Sequence, residues 1–291
     1  MKPLSSIFFT AISILLGLLF TYALSANTVE FANVPILYFV TFYIFILQWI
    51  VFLPSYLNQT EHYFDLTGSM TYITSILLVI FFAQEIDFRD VLICSLIIIW
   101  ASRLGLFLSK RVANAGEDTR FVHIKPNFYQ FLMTWTIQGL WVLMTAGMAF
   151  AALSSKNKLG LDAFAVIGAL LWLIGFIIEV ISDKQKTNFK SNPLNQGKFI
   201  QEGLWSFSRH PNYFFEWLLW WSYVLHAFGS SNVWYSLIGP AIMYIFLRYI
   251  TGIPPPEYSS LKRRGAAYAR YQATTSPFFL WKPKKIAESS D

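Results

Sequence analysis

Long apolar runs, separated by short polar segments, make up most of the sequence. A helix needs roughly 20 apolar residues to cross a hydrocarbon core of about 30 Å, and eight runs reach or approach that length. The predicted helices cover residues 4–24, 35–53, 66–84, 91–109, 131–155, 163–182, 213–228 and 232–250. The pattern therefore predicts about eight membrane-spanning helices, or seven if one of them is re-entrant.

The apolar runs are continuous, which favours helices over a β-barrel, whose strands alternate and are about half as long. The sequence GSSN at residues 229–232 predicts a turn between the last two helices, and Pro240 is expected to kink the last one. A hydrophobic content of 55% and a mean hydropathy of +0.47 agree with a membrane protein. We expect an all-α transmembrane helical bundle that forms a single integral membrane domain over residues 1–291.

Positive residues are concentrated on one side of the predicted bundle. Lys and Arg fill the loops after the fourth and sixth helices and the tail beyond Thr251, whereas the opposite side has only Arg89, Lys156 and Lys158. Because positive loops favour the cytoplasm, eight crossings would place both termini there. The net charge of +6 would then lie mainly on the cytoplasmic surface. Such a bias also sets topology and binds anionic lipids in proteins of every function, so it does not identify one.

Several kinds of chemistry are excluded by residue content. Cys94 is the sole cysteine, so no intrachain disulfide, CxxC pair or cysteine metal cluster is available. The sequence contains no Walker loop, GxGxxG or HExxH motif, and no metal site is expected. The basic tail has the pattern of an interfacial segment rather than of an arm that binds nucleic acid.

Charged residues near the end of the sixth helix form the first part of a candidate site. Glu179, Asp183, Lys186 and Lys190 share one face if this helix continues beyond Ser182. Solvated i,i+4 pairing would also explain such a stripe. Glu179 is the exception, because it lies inside the apolar run, where an ionisable residue usually faces a cavity or a partner.

The segment SRHPNYFFEW supplies the second part of the site. Pro211 suits the first turn of a helix, which places Arg209 and His210 beside free N–H groups that favour an anion. Asn212 and Glu216 would then project from one face just inside the helix. Arg209 reaching lipid phosphates and His210 capping a loop would account for the first pair, but not for Glu216.

Two stretches resemble a known family. GLWSFSRHPNYFFEW, followed by TGIPPPEYSSLKRRGAAYARYQATTSPFFLW, and SRLGLFLSKRVANAGEDTRF are similar to the membrane steroid 5-alpha-reductase family, in particular its bacterial DUF1295-type branch. The resemblance covers residues 100–281, with cofactor-binding loops on the cytoplasmic side. It implies a reductase that uses NADPH to saturate a carbon–carbon double bond conjugated to a ketone, in a bacterial inner membrane with its C-terminus cytoplasmic.

The resemblance and the RHPNY motif together name the candidate NADPH-binding residues. They are Arg103, Glu179, Asp183, Lys190, Arg209, His210, Asn212, Tyr213, Glu216, Tyr268 and Tyr271. In the steroid enzymes an asparagine stands at the position of Glu179, and an arginine that meets the phosphate end of NADPH stands at Lys190. The tail departs further, because an arginine and a histidine of the family correspond to 252–253 and Glu257 here. In the family these two residues contact the dinucleotide, so the departure affects that part of the expected NADPH site.

The catalytic residues have a weaker counterpart in the family. The steroid enzymes polarise the ketone with a glutamine–glutamate pair and a tyrosine, and this chain has neither in recognisable form; Trp100 stands at the tyrosine position. Near the first position, NQTEHYFD offers Glu61, Tyr63 and Asp65 as candidates to polarise or protonate a developing enolate. The expected partners are an apolar lipid or steroid-like substrate from the bilayer and the membrane lipids themselves.

Two other functions remain open. Isoprenylcysteine carboxyl methyltransferases and phospholipid N-methyltransferases share an RHPxY-like element and a similar tail but bind S-adenosylmethionine. Asn212 with Glu216 favours the reductase, whereas Glu257 ahead of Gly265 and Tyr268 favours the methyltransferase. A non-catalytic lipid-binding or scaffolding protein is the third interpretation, and it predicts no saturable nucleotide binding.

Overall fold

The computed structural model describes residues 3–118, 120–230 and 233–284, and most of them are helical. The helices are α1 (Pro3–Leu24), α2 (Ile36–Leu57), α3 (Phe64–Phe82), α4 (Phe88–Ala115), α5 (Phe128–Leu153), α6 (Ala163–Ser191), α7 (Pro211–His226), α8 (Ile238–Ile245) and α9 (Pro254–Thr274). Within these described ranges the sheet is limited to β1 (Glu30–Phe31) paired antiparallel with β2 (Val34–Pro35). The predicted helical bundle is confirmed.

Seven segments of the described chain are long and apolar enough to cross a membrane. Six of them are helices α1 to α6, and the seventh is Val233–Thr274. This last segment joins a 3₁₀ turn, α8, a π-helical stretch (Phe246–Ile250) and α9. Its apolar part ends with the π-helical stretch, because α9 is rich in Lys and Arg and belongs outside the hydrocarbon core. The protein is an integral membrane protein.

The predicted helices are all present, and their ends differ from the predictions in an informative way. α4 and α6 continue past their apolar runs to Ala115 and Ser191, since charged residues extend a helix outside the membrane as readily as apolar ones do inside it. α7 begins at Pro211 as predicted. Pro240 lies in the first turn of α8, where its missing N–H costs nothing, rather than at a kink within a helix.

The chain forms two compact units. The first comprises Met1–Val166 and Tyr223–Gly239, and the second comprises Ile167–Ser222 and Pro240–Asp291. In the first unit α5 is the central helix, which packs against α1, α2 and α3. Its buried aromatic side chains Phe131 and Trp135 join Phe52 in one apolar cluster.

Three ion pairs close the end of the first unit where α3 stops and α4 begins. Each basic residue of this end has an acidic partner: Lys156 with Glu30 at 2.9 Å, Lys158 with Asp90 at 2.8 Å, and Arg89 with Asp162. These are the three bases that the sequence assigns to the side opposite the basic loops. Pairing leaves this end with little net positive charge.

Arg89 also links the end of α7 to the start of α6. Its Nη1 donates to the carbonyl oxygens of His226 and Phe228 at 3.4 Å, while its Nη2 donates to Asp162, which caps the start of α6 by accepting from the Ala165 N–H. The start of α6 and the end of α7 therefore meet within the first unit. With only 16 residues, α7 is about 24 Å long and shorter than the seven candidate spans.

In the second unit α6 and α7 approach closely at a glycine. A Cβ on Gly175 would lie 3.0 Å from the Phe215 carbonyl oxygen and 3.1 Å from the Leu219 nitrogen. Any larger residue would push the two helices apart. This close contact brings together the polar ends of α6 and α7, which carry most of the candidate site.

α9 is a helical hairpin rather than a straight helix. Gly265 has φ 53° and ψ −131°, a backbone conformation that favours glycine. The side chains of Glu257 and Gln272 meet at 3.0 Å, although a straight helix would separate these residues by about 22 Å. The arms, residues 254–264 and 266–274, therefore run back along each other with Gly265 at the apex.

Candidate functional site

The C-terminal segment fixes the chain just before α7. Arg209 donates its backbone N–H to the Ser276 carbonyl at 2.8 Å, and the Ser208 hydroxyl donates to the Phe278 carbonyl at 2.9 Å. A third bond runs from the Trp281 N–H to the Phe207 carbonyl at 3.0 Å. The RHPNY motif is thus held by residues that follow it by about 70 positions in the chain.

Arg209 and Glu257 close the open end of the α9 hairpin. Nε and Nη2 of Arg209 donate to the two carboxylate oxygens at 2.6 and 3.0 Å. Nη1 donates to the carbonyl oxygens of Gln272 and Thr275 at 2.6 and 2.9 Å. A cation is favourable at these C-terminal carbonyls, and an anion is favourable in the first turn where Glu257 lies. Both side chains are buried, so the hairpin is closed by a bidentate ion pair.

The protonation states at this closure follow from its contacts. Burial raises the pKa of Glu257, but the hydrogen bonds from His210 and Arg209 outweigh it and lower the pKa to about 2. Burial lowers the pKa of His210, and the contact with Glu257 offsets this only in part. At neutral pH the carboxylate is therefore ionised and the imidazole is neutral.

Two adjoining cavities lie between the α9 hairpin, the end of α6 and the segment before α7. The inner one, here called the basic cavity, has a volume of about 190 Å³, and the outer cavity has a volume of about 560 Å³. Six bases line the basic cavity: Lys186, Lys190, Lys198, Arg209, Arg263 and Arg264. Within the described chain no acid lines it, and Glu202 is the one acid of the outer cavity.

Aromatic rings form much of the remaining wall of the basic cavity. Phe199 contacts the rings of Tyr268 and Tyr271 at centroid distances of 5.0 and 5.4 Å. The Lys186 ammonium lies 4.6 Å from the Trp205 ring centroid, a cation–π contact. The Tyr271 hydroxyl donates to the Trp205 carbonyl oxygen. Flat rings and cations together suit a ligand that carries both aromatic bases and phosphate groups.

Five predicted cofactor residues come together at this cavity, and the structure adds others. Lys190, Arg209, His210, Tyr268 and Tyr271 all line it. A sixth predicted residue, Tyr213, stacks on the His210 ring at 5.2 Å with an angle of 8° between the planes. Among the lining residues that the sequence analysis did not assign to the cofactor are Lys186, Lys198, Phe199, Trp205, Arg263 and Arg264. For Arg263 and Arg264, the sequence signal is the RRG triplet at the hairpin apex.

A second polar group lies where α6 and α7 face each other. Glu179 and Asp183 are buried on α6, which does continue beyond Ser182 as their predicted common face requires. Asn212 donates its Nδ2–H to Asp183 Oδ1 at 3.2 Å. The Asn212 Oδ1 atom is buried and accepts no hydrogen bond from the described residues. Glu216 follows one turn later and is half-buried.

Arg103 belongs to the first unit and lies on α4. Its guanidinium carbon is 5.5 Å from the Phe107 ring centroid, which is a cation–π contact within the same helix. Its role toward a cofactor stays a prediction from the resemblance.

The candidate catalytic acids lie in a network of ion pairs in the first unit. Glu61 accepts from the Asp118 N–H and from Lys125 Nζ, both at 2.8 Å. Burial raises the pKa of Glu61, but these two donors lower it below its usual value. Glu61 is therefore ionised, and it ties the loop before α3 to the loop before α5. This contact makes the carboxylate a poor proton donor.

The other two candidates differ in their surroundings. Asp65 faces Arg111 at 3.7 Å and Arg120 at 3.6 Å, so it also takes part in the network. Tyr63 is 53% exposed at the start of α3. The catalytic roles of all three residues stay predictions.

The fold and the site define a class of protein: an integral membrane protein with a basic, aromatic-lined cavity among its polar segments. The chain belongs to the family described as "Protein of unknown function (DUF1295)", whose model matches residues 36–275. This match confirms the family resemblance drawn from the sequence and extends it over most of the chain. The bacterial branch stays a prediction.

Three curated relatives match parts of the chain. An uncharacterised protein of Schizosaccharomyces pombe is 27% identical over 177 residues, which is 48% of this chain and 51% of the relative. The Delta(14)-sterol reductase of Arabidopsis thaliana is 33% identical over 131 residues, 41% of this chain and 32% of the relative. A probable O-methyltransferase of Ustilaginoidea virens is 31% identical over 78 residues, 27% of each. The chain spans about half or less of the length of these relatives, and no solved structure matches it. Family and sterol reductase together support a reductase-like membrane protein.

Proposed function

We propose that the protein is a membrane-embedded, NADPH-dependent reductase that saturates a carbon–carbon double bond conjugated to a ketone in an apolar lipid or steroid-like substrate. The charge of the basic cavity carries this proposal, because five bases besides Arg209, which is paired with Glu257, line it together with no acid of the described chain. NADPH presents several phosphate charges, whereas S-adenosylmethionine carries a sulfonium and an ammonium group against one carboxylate. Coulomb attraction therefore favours the dinucleotide.

The residues present fit such a cofactor. Lys190, Lys198 and Arg263 would bind phosphate groups, and the rings of Phe199 and Tyr268 would pack against its adenine base. The outer cavity, at about 560 Å³, falls within the roughly 300–1,000 Å³ typical of small-molecule sites. When bound, NADPH supplies the hydride. The protein has to orient the cofactor, exclude water and provide a group that polarises or protonates the substrate oxygen.

The predicted acids are not equivalent candidates for that last task. Glu61 is held ionised by Lys125, which leaves Tyr63 and Asp65 as the stronger candidates. An apolar substrate from the bilayer is supported by the membrane-spanning fold and by the similarity to a sterol reductase. We place the basic cavity on the cytoplasmic side of a bacterial inner membrane, where NADPH is available.

A methyltransferase is the second candidate, favoured by the relative from Ustilaginoidea virens. That similarity covers 27% of the chain, and the charge of the basic cavity opposes a cationic cofactor. A non-catalytic lipid-binding protein is the third candidate. It would not explain why bases and aromatic rings line the same cavity.

Thermal stability of the detergent-purified protein separates the three candidates. A ligand that binds only the folded state raises stability with the logarithm of its concentration over Kd. We expect NADPH to raise the melting temperature more than NADH or S-adenosylmethionine does. Stabilisation by S-adenosylmethionine with none by NADPH would identify the methyltransferase, and stabilisation by none of the three would favour the lipid-binding protein.

A matched pair of lysine variants on α6 links the titration to the basic cavity. Lys190→Gln removes a lining base, whereas Lys184→Gln removes an exposed base of the same helix that does not line it. Losing a charged hydrogen bond should raise the NADPH Kd roughly tenfold in the first variant. The second variant should bind as the wild type does. An equal rise of the NADPH Kd in both variants would show that Lys190 acts through long-range electrostatic attraction rather than through direct contact with NADPH.

A further inference from the structure

The bond between His210 and Glu257 has a fixed direction. Nε2 of His210 lies 3.2 Å from Glu257 Oε1, and the same carboxylate accepts from Arg209 and from Gln272 Nε2. An ionised carboxylate only accepts hydrogen bonds. Nε2 must therefore carry the proton that is donated to Glu257.

The other ring nitrogen of His210 is left as an acceptor. In a neutral imidazole with the proton on Nε2, Nδ1 has a lone pair and no hydrogen. The ring lines the basic cavity, and its Nδ1 makes no hydrogen bond to any residue that the structure describes. Stacking on Tyr213 holds the plane of the ring. Six bases line the same cavity and offer only donors, so the His210 ring adds an acceptor that these bases cannot supply.

We propose that Glu257 is a positioning residue for the basic cavity: it holds His210 in the Nε2–H tautomer and so presents Nδ1 as an acceptor to an N–H or O–H donor of the bound ligand. The identity of that ligand rests on the proposed function, since the carboxamide and ribose hydroxyl groups of NADPH are donors of this kind. The tautomer does not depend on the ligand. Burial of His210, which lowers its pKa, supports a neutral ring near pH 7.

A purely structural role for the pair makes different predictions. If Glu257 served only to neutralise Arg209, the tautomer of His210 would be irrelevant to binding. A side chain that kept the contact with Glu257 but lacked an acceptor at the Nδ1 position would then bind ligand normally. Replacing His210 by glutamine or asparagine separates the two roles, because the glutamine amide reaches the Nε2 position and the asparagine amide lies near the Nδ1 position.

Nuclear magnetic resonance of the apo protein tests the tautomer directly. The chain has four histidines, so ¹⁵N-histidine labelling gives few signals, and the loss of one set in His210→Gln assigns His210. At pH 7 we expect a protonated Nε2 and an unprotonated Nδ1. An Nδ1–H tautomer or a doubly protonated ring would overturn the proposal, whether or not NADPH binds.

The role of Glu257 is tested in the same spectra. Glu257→Gln removes the charge that selects the tautomer, and the Nδ1–H form should then gain population. If this variant does not fold because Arg209 is left unpaired, Glu257→Asp, which keeps the charge but shortens the reach, allows the same comparison. An unchanged tautomer in the folded variant would show that Glu257 does not control it.

Cofactor affinity provides the second measurement. We expect His210→Gln to keep a melting temperature near that of the wild type while its NADPH Kd, from calorimetry, rises about tenfold. His210→Asn should retain more of the affinity than His210→Gln. His123→Gln, an exposed histidine of the first unit, is the matched control. Wild-type affinity in His210→Gln would refute the acceptor role, whereas an absence of NADPH binding by the wild type would refute the proposed function and leave the tautomer result standing.

Discussion

Arg209 uses three guanidinium nitrogens inside the protein, two on the Glu257 carboxylate and one on the carbonyls of Gln272 and Thr275. The sequence predicted this arginine beside an anion at the start of α7. Its charge is instead neutralised by Glu257, which does not line the basic cavity, so the positive potential available to a ligand comes from residues such as Lys198 and Arg263. A buried charge that is paired with a bidentate partner holds the surrounding residues in place and adds little to the electrostatic attraction of a ligand.

Asn212 and Glu216 test whether the polar face of α7 binds a ligand or holds helices together. Asn212→Ala removes the bond to Asp183, and Glu216→Gln removes one charge. If both line a cofactor site, each should weaken NADPH binding by several-fold to about tenfold and leave the apo melting temperature nearly unchanged.

The control for these variants is Asn157→Ala, an exposed asparagine of the first unit. A large fall in the apo melting temperature with unchanged NADPH affinity would show that these side chains are a structural brace. Calorimetry and thermal melting of the same purified samples distinguish the two outcomes.

Glu257 should make stability depend on pH in the acid range. Its folded pKa of about 2 lies below the ordinary value of 4.5, so its contribution is fully present above about pH 4.5 and is lost as the pH falls toward 2. The shift corresponds to on the order of 3 kcal/mol. The melting temperature of the wild type should therefore fall more steeply between pH 5 and pH 3 than that of Glu257→Gln. Glu85→Gln, at an exposed glutamate, should keep the wild-type dependence; parallel curves for all three proteins would contradict the assignment.

At the scale of whole elements, α9 is the helix that the sequence did not predict. Hydropathy predicted the eight apolar helices because each contains a long apolar run, and Pro211 correctly marked the start of α7. α9 is polar and was predicted only as an interfacial tail. Its hairpin depends on bonds from residues 207–209 to residues 272–281, and no local pattern encodes contacts between such distant segments. The same limit hid Lys198 and Trp205 from the predicted site.

Gly265 is the residue on which the hairpin depends. An alanine there would be strained at φ 53°, at a cost of about 1–3 kcal/mol. Gly265→Ala should lower the melting temperature and also weaken NADPH binding, because both arms of the hairpin line the basic cavity. Gly160, with φ 65° and no atom within 4 Å of the position that a Cβ would occupy, is a matched control in the first unit.

Gly160→Ala should be strained in the same way but leave NADPH affinity unchanged. Thermal melting and calorimetry of both variants provide the comparison. If Gly265→Ala binds NADPH with wild-type affinity, the hairpin apex does not shape the basic cavity.

At the scale of the whole molecule, the eight crossings predicted from the sequence would place both termini on the same side of the membrane. The bases at the opposite end, Arg89, Lys156 and Lys158, each form an ion pair. The loops and the tail at the other end carry most of the remaining positive residues. This asymmetry favours a cytoplasmic location for both termini.

Reporter fusions test this topology. An activity reporter joined after Asp291 should read as cytoplasmic, and the same reporter joined after Gly160 should read as non-cytoplasmic. Both positions on one side of the membrane would mean that an even number of crossings separates them, instead of the predicted three. A non-cytoplasmic C-terminus would also move the basic cavity away from the cellular pool of NADPH.

The bonds from Phe207 and Ser208 to Trp281 and Phe278 have a consequence for a truncated chain. Residues 207–208 and the apolar helices precede in the chain the residues that complete the wall of the basic cavity. A chain truncated after Ile250 would therefore keep the apolar helices but lack the α9 hairpin, and it should not bind NADPH.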